Sequence, residues 1–364
     1  MFIEGMKDLS STVTIIPYKN WKKISTGLTK ISNKGWKFYS PNYDILVDSP
    51  FEIGNQKLFY FTAAGIKHTI AMYGYGNYSI DKLIKDMTKI IETETSIVNE
   101  NPNKEYLFII HNLNKRSGGL EHLNSCTLDV NRWTYKPESS YLRFLSLVAH
   151  EYFHLWNVKR IRPITLGPFN YDKENYTYLL WEMEGVTSYY STLTMRRAGF
   201  LSPKKYLNII ANRYIPTIEN QPGNQIQSAA NASFDAWIKA YKPNENSYNT
   251  TISYYTKGYI LGMLLDLKII HNTKGKRSYD DVLRYLYHEY YKKKNRGFTD
   301  KEYIEAVEKT AGENLEDFFN KYVYGTAKIN YNKYFNYAGL ELIDQPSPNP
   351  KPLLGINLKK NKEN

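Results

Sequence analysis

The sequence predicts an α+β fold, β-rich at its N-terminal end and mainly helical in its C-terminal half. Two patterns carry that expectation. Residues 10–76 hold short β-branched or aromatic runs punctuated by Gly, Pro, Asn and Asp, as strands joined by turns do. Beyond residue 200 the chain breaks into apolar stretches of helical spacing separated by Gly- and Asn-rich joints. Between the two lies a mixed α and β segment, and at its end the stretch that organises the rest, residues 147–163.

Taken in order, strands are expected at residues 12–18, 36–39, 44–47, 58–62 and 69–75. Residues 79–99 have helical spacing, with Ile80, Leu83, Ile84, Met87, Ile90 and Ile91 apolar and Asp81 and Asp86 among the polar positions. A strongly apolar strand at 106–111 (YLFIIH) leads through Gly118-Gly119-Leu120-Glu121-His122 to another at 126–130. Residues 141–156 (YLRFLSLVAHEYFHLW) contain neither Gly nor Pro and are apolar almost all round, which describes a helix buried in an interior. Ser139 and Ser140 are its expected N-caps. A polar loop at 161–173 precedes a second long helix, roughly 174–197, closed by Gly199. Helices at 203–214, 228–240, 254–270, 279–292, 300–311 and 315–322 follow. From residue 345 the composition (QPSPNPKP) is that of a linker, with a short apolar run at 353–358 after it. There is no internal repeat.

Composition excludes more than it selects. A chain of 364 residues with 42% hydrophobic and 15% aromatic residues has ample material for a core. The net charge of +12 is spread along the sequence, without the clustered basic residues and stacking aromatics of a nucleic-acid module. The 34 tyrosines accompany abundant lysine and asparagine and point to no tyrosine-based function. One cysteine, Cys126, excludes an internal disulfide. No stretch approaches the ~20 apolar residues that span a bilayer, and the N-terminus lacks the apolar run of a signal peptide. The expectation is a soluble protein whose compartment is open.

Chemistry concentrates in His150-Glu151-Tyr152-Phe153-His154. Residues four apart on a helix stand one above the other, so His150 and His154 can offer two imidazole nitrogens to one cation. Glu151 sits beside them without having to be a ligand. This HExxH arrangement is that of a zinc peptidase, two ligands plus a general base. A tetrahedral zinc with an open position needs a third protein ligand. Glu184, in Trp181-Glu182-Met183-Glu184-Gly185, is 30 positions beyond His154, far enough for a loop and a returning helix. Gly185 is expected to let that helix approach the HExxH helix closely. Glu182 is the weaker alternative, since side chains two apart on a helix point in nearly opposite directions.

Residues 150–163 (HEYFHLWNVKRIRP) with 181–190 (WEMEGVTSYY) resemble the glycyl aminopeptidase family of zinc metallopeptidases, gluzincins with a thermolysin-like catalytic domain. Residues 43–54 (YDILVDSPFEIG), 118–125 (GGLEHLNS), 234–239 (FDAWIK) and 253–258 (SYYTKG) look like that family's blocks, in its order, and the likeness runs over roughly residues 10–340. The resemblance implies a partial N-terminal β-domain (1–76), a thermolysin-like zincin catalytic domain (77–343), and a linker with the possible start of a missing PDZ domain (344–364). It implies one Zn2+ per chain on His150, His154 and Glu184, with Glu151 as general base. Tyr255, rather than its neighbour Tyr254, matches a donor to the developing oxyanion. Gly118, Gly119 and Glu121 match a substrate-lining strand, with Glu121 holding the free α-ammonium and the glycines admitting peptide backbone. Asn157, Lys159, Arg160 and Arg162 are expected to cap and brace the loop after the helix. One departure stands out: thermolysin-like sites often place an acidic residue four beyond the ligand glutamate, and this chain has Ser188 there, so the ligand histidines must be oriented from elsewhere.

The function expected is a zinc-dependent aminopeptidase releasing small N-terminal residues, Gly or Ala, from peptides with a free N-terminus. The alternatives are a catalytically silent zincin serving as a scaffold and an endopeptidase of the same chemistry. Nothing in the sequence sets the specificity pocket or the oligomeric state.

Overall fold

A computed structural model describes residues 3–32 and 34–344. The linker and the apolar run expected beyond residue 345 lie outside them. At the N-terminal end, β1 (Ser11–Ile15), β2 (Lys23–Thr26), β3 (Thr29–Lys30) and β4 (Trp36–Ser40) precede the short helix α1 (Tyr43–Val47) and β5 (Phe51–Gly54). β1 and β3 flank β4 in one small sheet, and β2 pairs with β5 in another. Residues 44–47, expected as a strand, are α1 instead. The reason is local: the Asn42 side chain accepts the Ile45 N–H at 2.9 Å and caps a helical turn, which outweighs the apolar run that suggested a strand.

The principal sheet follows. Its strands β6 (Lys57–Ala63), β7 (Ile66–Tyr73), β8 (Glu105–Leu113), β9 (Gly118–Glu121) and β10 (Ser125–Asn131) are arranged in the order β6-β7-β8-β10-β9. β7, β8 and β10 are mutually parallel, and β6 and β9 close the two edges antiparallel. The boundary expected at residue 76 therefore falls inside one continuous sheet, because β7 pairs with β8 across it. Helix α2 (Ile80–Val98) is the crossover between those two strands. It buries Leu83, Met87, Ile90 and Ile91 against Ile70, Phe108, Ile110 and Leu128 of the sheet.

Helix α3 (Glu138–Phe153) packs on the same layer through Leu145, Val148, Ala149 and Tyr152, all fully buried. Pro137, not Ser139 or Ser140, occupies its N-cap position, and the two serines lie inside its first turn. Tyr152 locks it to the sheet: its hydroxyl lies 3.1 Å from His68 Nε2 and accepts from Asn101 Nδ2 at 2.7 Å.

The rest is helical: α4 (Thr187–Arg197), α5 (Pro203–Ile209), α6 (Ile215–Glu219), α7 (Ala229–Phe234) and α8 (Ser247–Thr250), then α9 (Tyr254–Asn272), α10 (Tyr279–Leu286), α11 (Asp300–Ala311), α12 (Glu316–Phe318) and α13 (Tyr331–Phe335). The helix expected from residue 174 starts only at 180, with a π-helical turn (Trp181–Val186) before α4. The helix expected over 228–240 is short, ending at Phe234. α9 lies in the middle of this half, with Tyr259, Ile260, Leu261, Leu264 and Leu265 wholly buried.

Candidate active site

Three elements meet at the site: the C-terminal turn of α3, the π-helical turn before α4, and the edge strand β9. α3 presents His150 and Glu151 in its last turn, and His154 stands at its C-cap with helical backbone angles. The i, i+4 stacking therefore survives to the final residue. A carbonyl can only accept, so the 2.6 Å contact from His154 Nδ1 to the Asn157 carbonyl makes Nδ1 the donor. Nε2 is then the nitrogen directed into the site, and a cation bound there would take the place of its proton. Asn157 supplies the orienting oxygen that Ser188 cannot. Its own side chain donates to Thr187 Oγ1 at 3.1 Å and to the Glu182 and Met183 carbonyls at 3.4 Å, tying the end of α3 to the π-helical turn.

That turn aims Glu184 at the two histidines. His150 Nε2 is 3.1 Å from His154 Nε2 and 3.2 Å from Glu184 Oε2, and His154 Nε2 is 3.4 Å from the same oxygen. A tetrahedral ion with bonds of about 2.05 Å has donor–donor edges of roughly 3.3 Å, so the triangle has the size of one face of such a polyhedron. Glu182 faces away and accepts from the Tyr279 hydroxyl at 3.3 Å. π-turns recur at functional sites because the extra residue re-aims a side chain, and here the re-aimed side chain meets the two imidazoles.

Charge agrees with distance. Burial works against the His154 imidazolium, yet the carboxylates of Glu184 and Glu121 outweigh it and raise its pKa to about 10. At the neighbouring His150, burial prevails and the pKa falls. Burial likewise opposes ionisation of Glu184, but His154 and His150 hold it far below the usual carboxylate range. Glu151 is pushed up to about 8, chiefly by burial. Its Oε2 is buried with no hydrogen-bond partner among the described residues. Three acidic groups around two imidazoles, one with an orphaned oxygen, form a site that a cation satisfies. The donor set, two imidazole nitrogens and a carboxylate with an acid beside them, is that of catalytic zinc. A second triad of donor atoms, from Glu121, Glu151 and His154, overlaps the first within 4.8 Å.

β9 brings in Glu121 and the two glycines. At Gly119 a Cβ would stand 2.3 Å from Glu151 Oε1. The room left by this glycine is thus filled by the carboxylate of the HExxH glutamate. Gly118 has nothing within 4 Å of the position a Cβ would take, and only there is the strand open as expected. β9 pairs with β10 on one side and forms the edge of the sheet on the other.

Gly185 does allow a close approach, but to α9 rather than to α3. A Cβ on it would lie 2.4 Å from Gly258 Cα, and one on Gly258 would lie 1.9 Å from the Trp181 carbonyl oxygen. The contact seats the start of α9 against the ligand-bearing turn. One helical turn before Gly258, the Tyr255 ring is 6.3 Å from that of His150, and burial together with the Glu184 charge lifts its phenol far above the ordinary value. Tyr254 instead directs its hydroxyl to Tyr241, at 3.1 Å.

The bracing residues behave unequally. Lys159 pairs with Asp48 at 2.6 Å, Arg160 donates to the Leu155 and Leu123 carbonyls and to Asn103, and the Arg162 side chain forms no such bond among the described residues. Sequence reasoning missed Glu94, fully buried in α2 and close enough to His154 for their charges to interact, its carboxyl pushed far up by burial. Its spacing from Met87, Ile90 and Ile91 places it on the apolar face of that helix, and this was the available signal. The site opens on a cavity of about 200 Å³ walled by Glu121, Glu184, Met183 and Arg162, among others. A larger one of about 950 Å³ adjoins it.

Comparison with known proteins gives the same picture. Residues 143–261 match the family described as M61 glycyl aminopeptidase, and residues 1–55 match the Peptidase M61 N-terminal domain. Among solved structures, an aminopeptidase N family protein from Idiomarina loihiensis is 32% identical with a TM-score of 0.87, the match covering 92% of this chain and 58% of that one. An M1 zinc metallopeptidase from Deinococcus radiodurans is 13% identical with a TM-score of 0.60, covering 88% and 64%, a likeness of fold. The chain thus spans little more than half the length of the Idiomarina protein. A search of curated proteins gives no match.

Proposed function

The chain belongs to the M61 glycyl aminopeptidase family, and from that premise we propose that it is a zinc-dependent aminopeptidase acting on peptides with a small first residue, Gly or Ala. The observation that carries the reading is the convergence of His150 Nε2, His154 Nε2 and Glu184 Oε2 within 3.1–3.4 Å of one another beside the buried Glu151.

His150, His154 and Glu184 would hold the zinc, which when bound acidifies water and polarises a carbonyl. Glu151 takes the proton of the attacking water and returns it to the leaving amine. Gly119 keeps the Glu151 carboxylate in place, since any side chain there would displace it. Tyr255 donates its hydroxyl proton in a hydrogen bond to the oxyanion that develops at the scissile carbonyl. The free edge of β9 receives the substrate as an added strand, and Glu121 at its end pairs with the α-ammonium. That pairing distinguishes an aminopeptidase from an endopeptidase, for which a half-buried acid facing uncharged backbone would be a cost.

Metal content and turnover of glycyl- and alanyl-arylamides, before and after chelation, test the reading. About one zinc per chain, with activity lost to chelator and restored by zinc, is expected. Glu121→Ala should lower kcat/KM by about 10²-fold for free-amine substrates and leave N-acetylated peptides equally poor. Efficient cleavage of the acetylated peptides by the unmodified enzyme would make it an endopeptidase. Zinc without turnover would make it a scaffold.

A further inference from the structure

Arg162 borders both cavities and, unlike Lys159 beside it, gives its guanidinium N–H groups to no described residue. The two cavities share Lys159, Arg162, Leu166, Phe169 and Leu180 as a common wall. Lys159 is held by Asp48. The Arg162 guanidinium forms no hydrogen bond or ion pair with any described residue, although it is mostly buried and burial works against its charge. Asp44 and Asp48 support it through their charge alone, their close contacts being with Lys7 and the Tyr171 hydroxyl, and with Lys159 and the Leu123 N–H.

The residue is also held in place. Its carbonyl accepts from Phe298 N–H at 3.1 Å, beside the bridge between Pro163 and Phe298. Its guanidinium lies over Gly167, whose φ is +154° and where a Cβ would stand 2.2 Å from Arg162 Cζ. A partly desolvated guanidinium fixed on a cavity wall, its N–H groups taken by no described residue, is an anion receptor, and its planar fork fits a carboxylate.

Glu121 lines the same smaller cavity. A sphere of its volume, about 200 Å³, is roughly 7 Å across, and two extended residues also reach ~7 Å. An anionic group for the ammonium and a cationic group for a carboxylate thus line one space about as wide as a dipeptide is long. Beyond the shared wall, the 950 Å³ cavity is mainly apolar, with Phe169, Tyr171, Tyr176, Trp237 and Tyr291 on its sides.

We propose that Arg162 binds the free α-carboxylate of dipeptides, so that this site is a dipeptidase site for a small first residue followed by a bulky apolar second one, whose side chain enters the larger cavity. The inference rests on the aminopeptidase reading for the placement of the amino end. In the hydrolysis, the water oxygen joins the carbonyl carbon of the first residue, the C–N bond breaks, and the amine of the second residue leaves with a proton. Both amino acids are released free.

Binding tests it independently of turnover. In zinc-loaded Glu151→Gln protein, calorimetry compares Gly-Phe with Gly-Phe amide. The acid should bind about tenfold more tightly. In Glu151→Gln/Arg162→Gln, acid and amide should bind alike, and Arg162→Lys in place of Arg162→Gln should give an intermediate ratio, because it keeps charge without the fork. Equal binding of acid and amide in the first protein, or a preference that survives Arg162→Gln, overturns the assignment. Turnover of Gly-Phe amide by the unmodified enzyme reports separately on the aminopeptidase reading. Its absence would sink that reading while the binding ratio still decides on Arg162.

Discussion

Alanine at Gly258 should disable the enzyme without touching any group that meets substrate or metal. The new Cβ would lie 1.9 Å from the Trp181 carbonyl oxygen and 2.9 Å from Gly185 Cα, both backbone atoms that cannot rotate away. Ordinary contact begins near 3.4 Å, so α9 and the π-helical turn must separate by about 1.5 Å. Tyr255 lies one turn earlier on α9, and a displacement of ~1 Å at a reacting group costs on the order of 10²-fold in rate. The overpacking itself should cost roughly 1–3 kcal/mol of stability, leaving a folded protein in a chain of this size. The assay is kcat/KM on a glycyl-arylamide, with bound zinc measured alongside, for Gly258→Ala, Tyr255→Phe and the double variant. If the helix shift acts by moving the Tyr255 hydroxyl, each single change lowers kcat/KM about 100-fold. The double variant is then only a few-fold worse than Tyr255→Phe, because residues acting as a unit do not add. Losses that multiply in the double variant, or full activity in Gly258→Ala, would refute the argument.

Other consequences follow from the same geometry. Glu151→Gln should retain zinc and lose about 10³-fold or more in kcat, and loss of the metal itself would mean that Glu151 had been given the wrong role. Gly119→Ala should mimic it, with turnover falling by at least about 10²-fold at full metal content, since its Cβ would meet the Glu151 carboxylate at 2.3 Å; unaltered turnover would refute the tight fit. Stability should fall in acid partly through His68. Burial pulls its pKa from the ordinary 6.5 to about 4, so the unfolded chain takes up a proton first, and stability is lost as pH falls from about 6.5 to 4. One proton corresponds to about 1.4 kcal/mol per pH unit. Urea midpoints across that window should therefore fall less steeply with decreasing pH in His68→Gln, and an unchanged slope would count against His68.

What the sequence made legible is what a short-range period fixes. His150 and His154 are four apart on one helix, and the 3.6-residue repeat alone sets their imidazoles side by side. Glu184 was separable from Glu182 because side chains two apart on a helix diverge, and the π-turn kept that divergence. The strands at 58–62, 69–75, 106–111 and 126–130 were read from β-branched runs and turn residues and are found within one or a few residues of those bounds. Where a cap intervened the reading failed: the apolar run of Ile45, Leu46 and Val47 is helical because Asn42 starts a turn. The roles of single glycines were beyond reach for another reason. Gly185 was paired with the wrong helix, and Gly119 was given to the substrate although Glu151 fills its space. Neither partner is within thirty residues in the chain, and periodicity says nothing about contacts of that range.

These glycines also show how the site is assembled. Gly119 lets the edge strand press onto Glu151, Gly185 and Gly258 let the helix carrying Tyr255 press onto the turn carrying Glu184, and Gly167 lets the Arg162 guanidinium lie against the loop. In each case the space a side chain would occupy is taken by a protein group rather than left for a ligand. A functional side chain buried against backbone in this way has few alternative rotamers, so its position is set before substrate arrives. The HExxH helix brings His150, Glu151 and His154 together by its own period, but the remaining groups come from elements distant in sequence. For those, the precision that catalysis demands is supplied at the glycine contacts, where a single methyl group would push aside a side chain at Gly119 and Gly167 and backbone, by about an ångström or more, at Gly185 and Gly258.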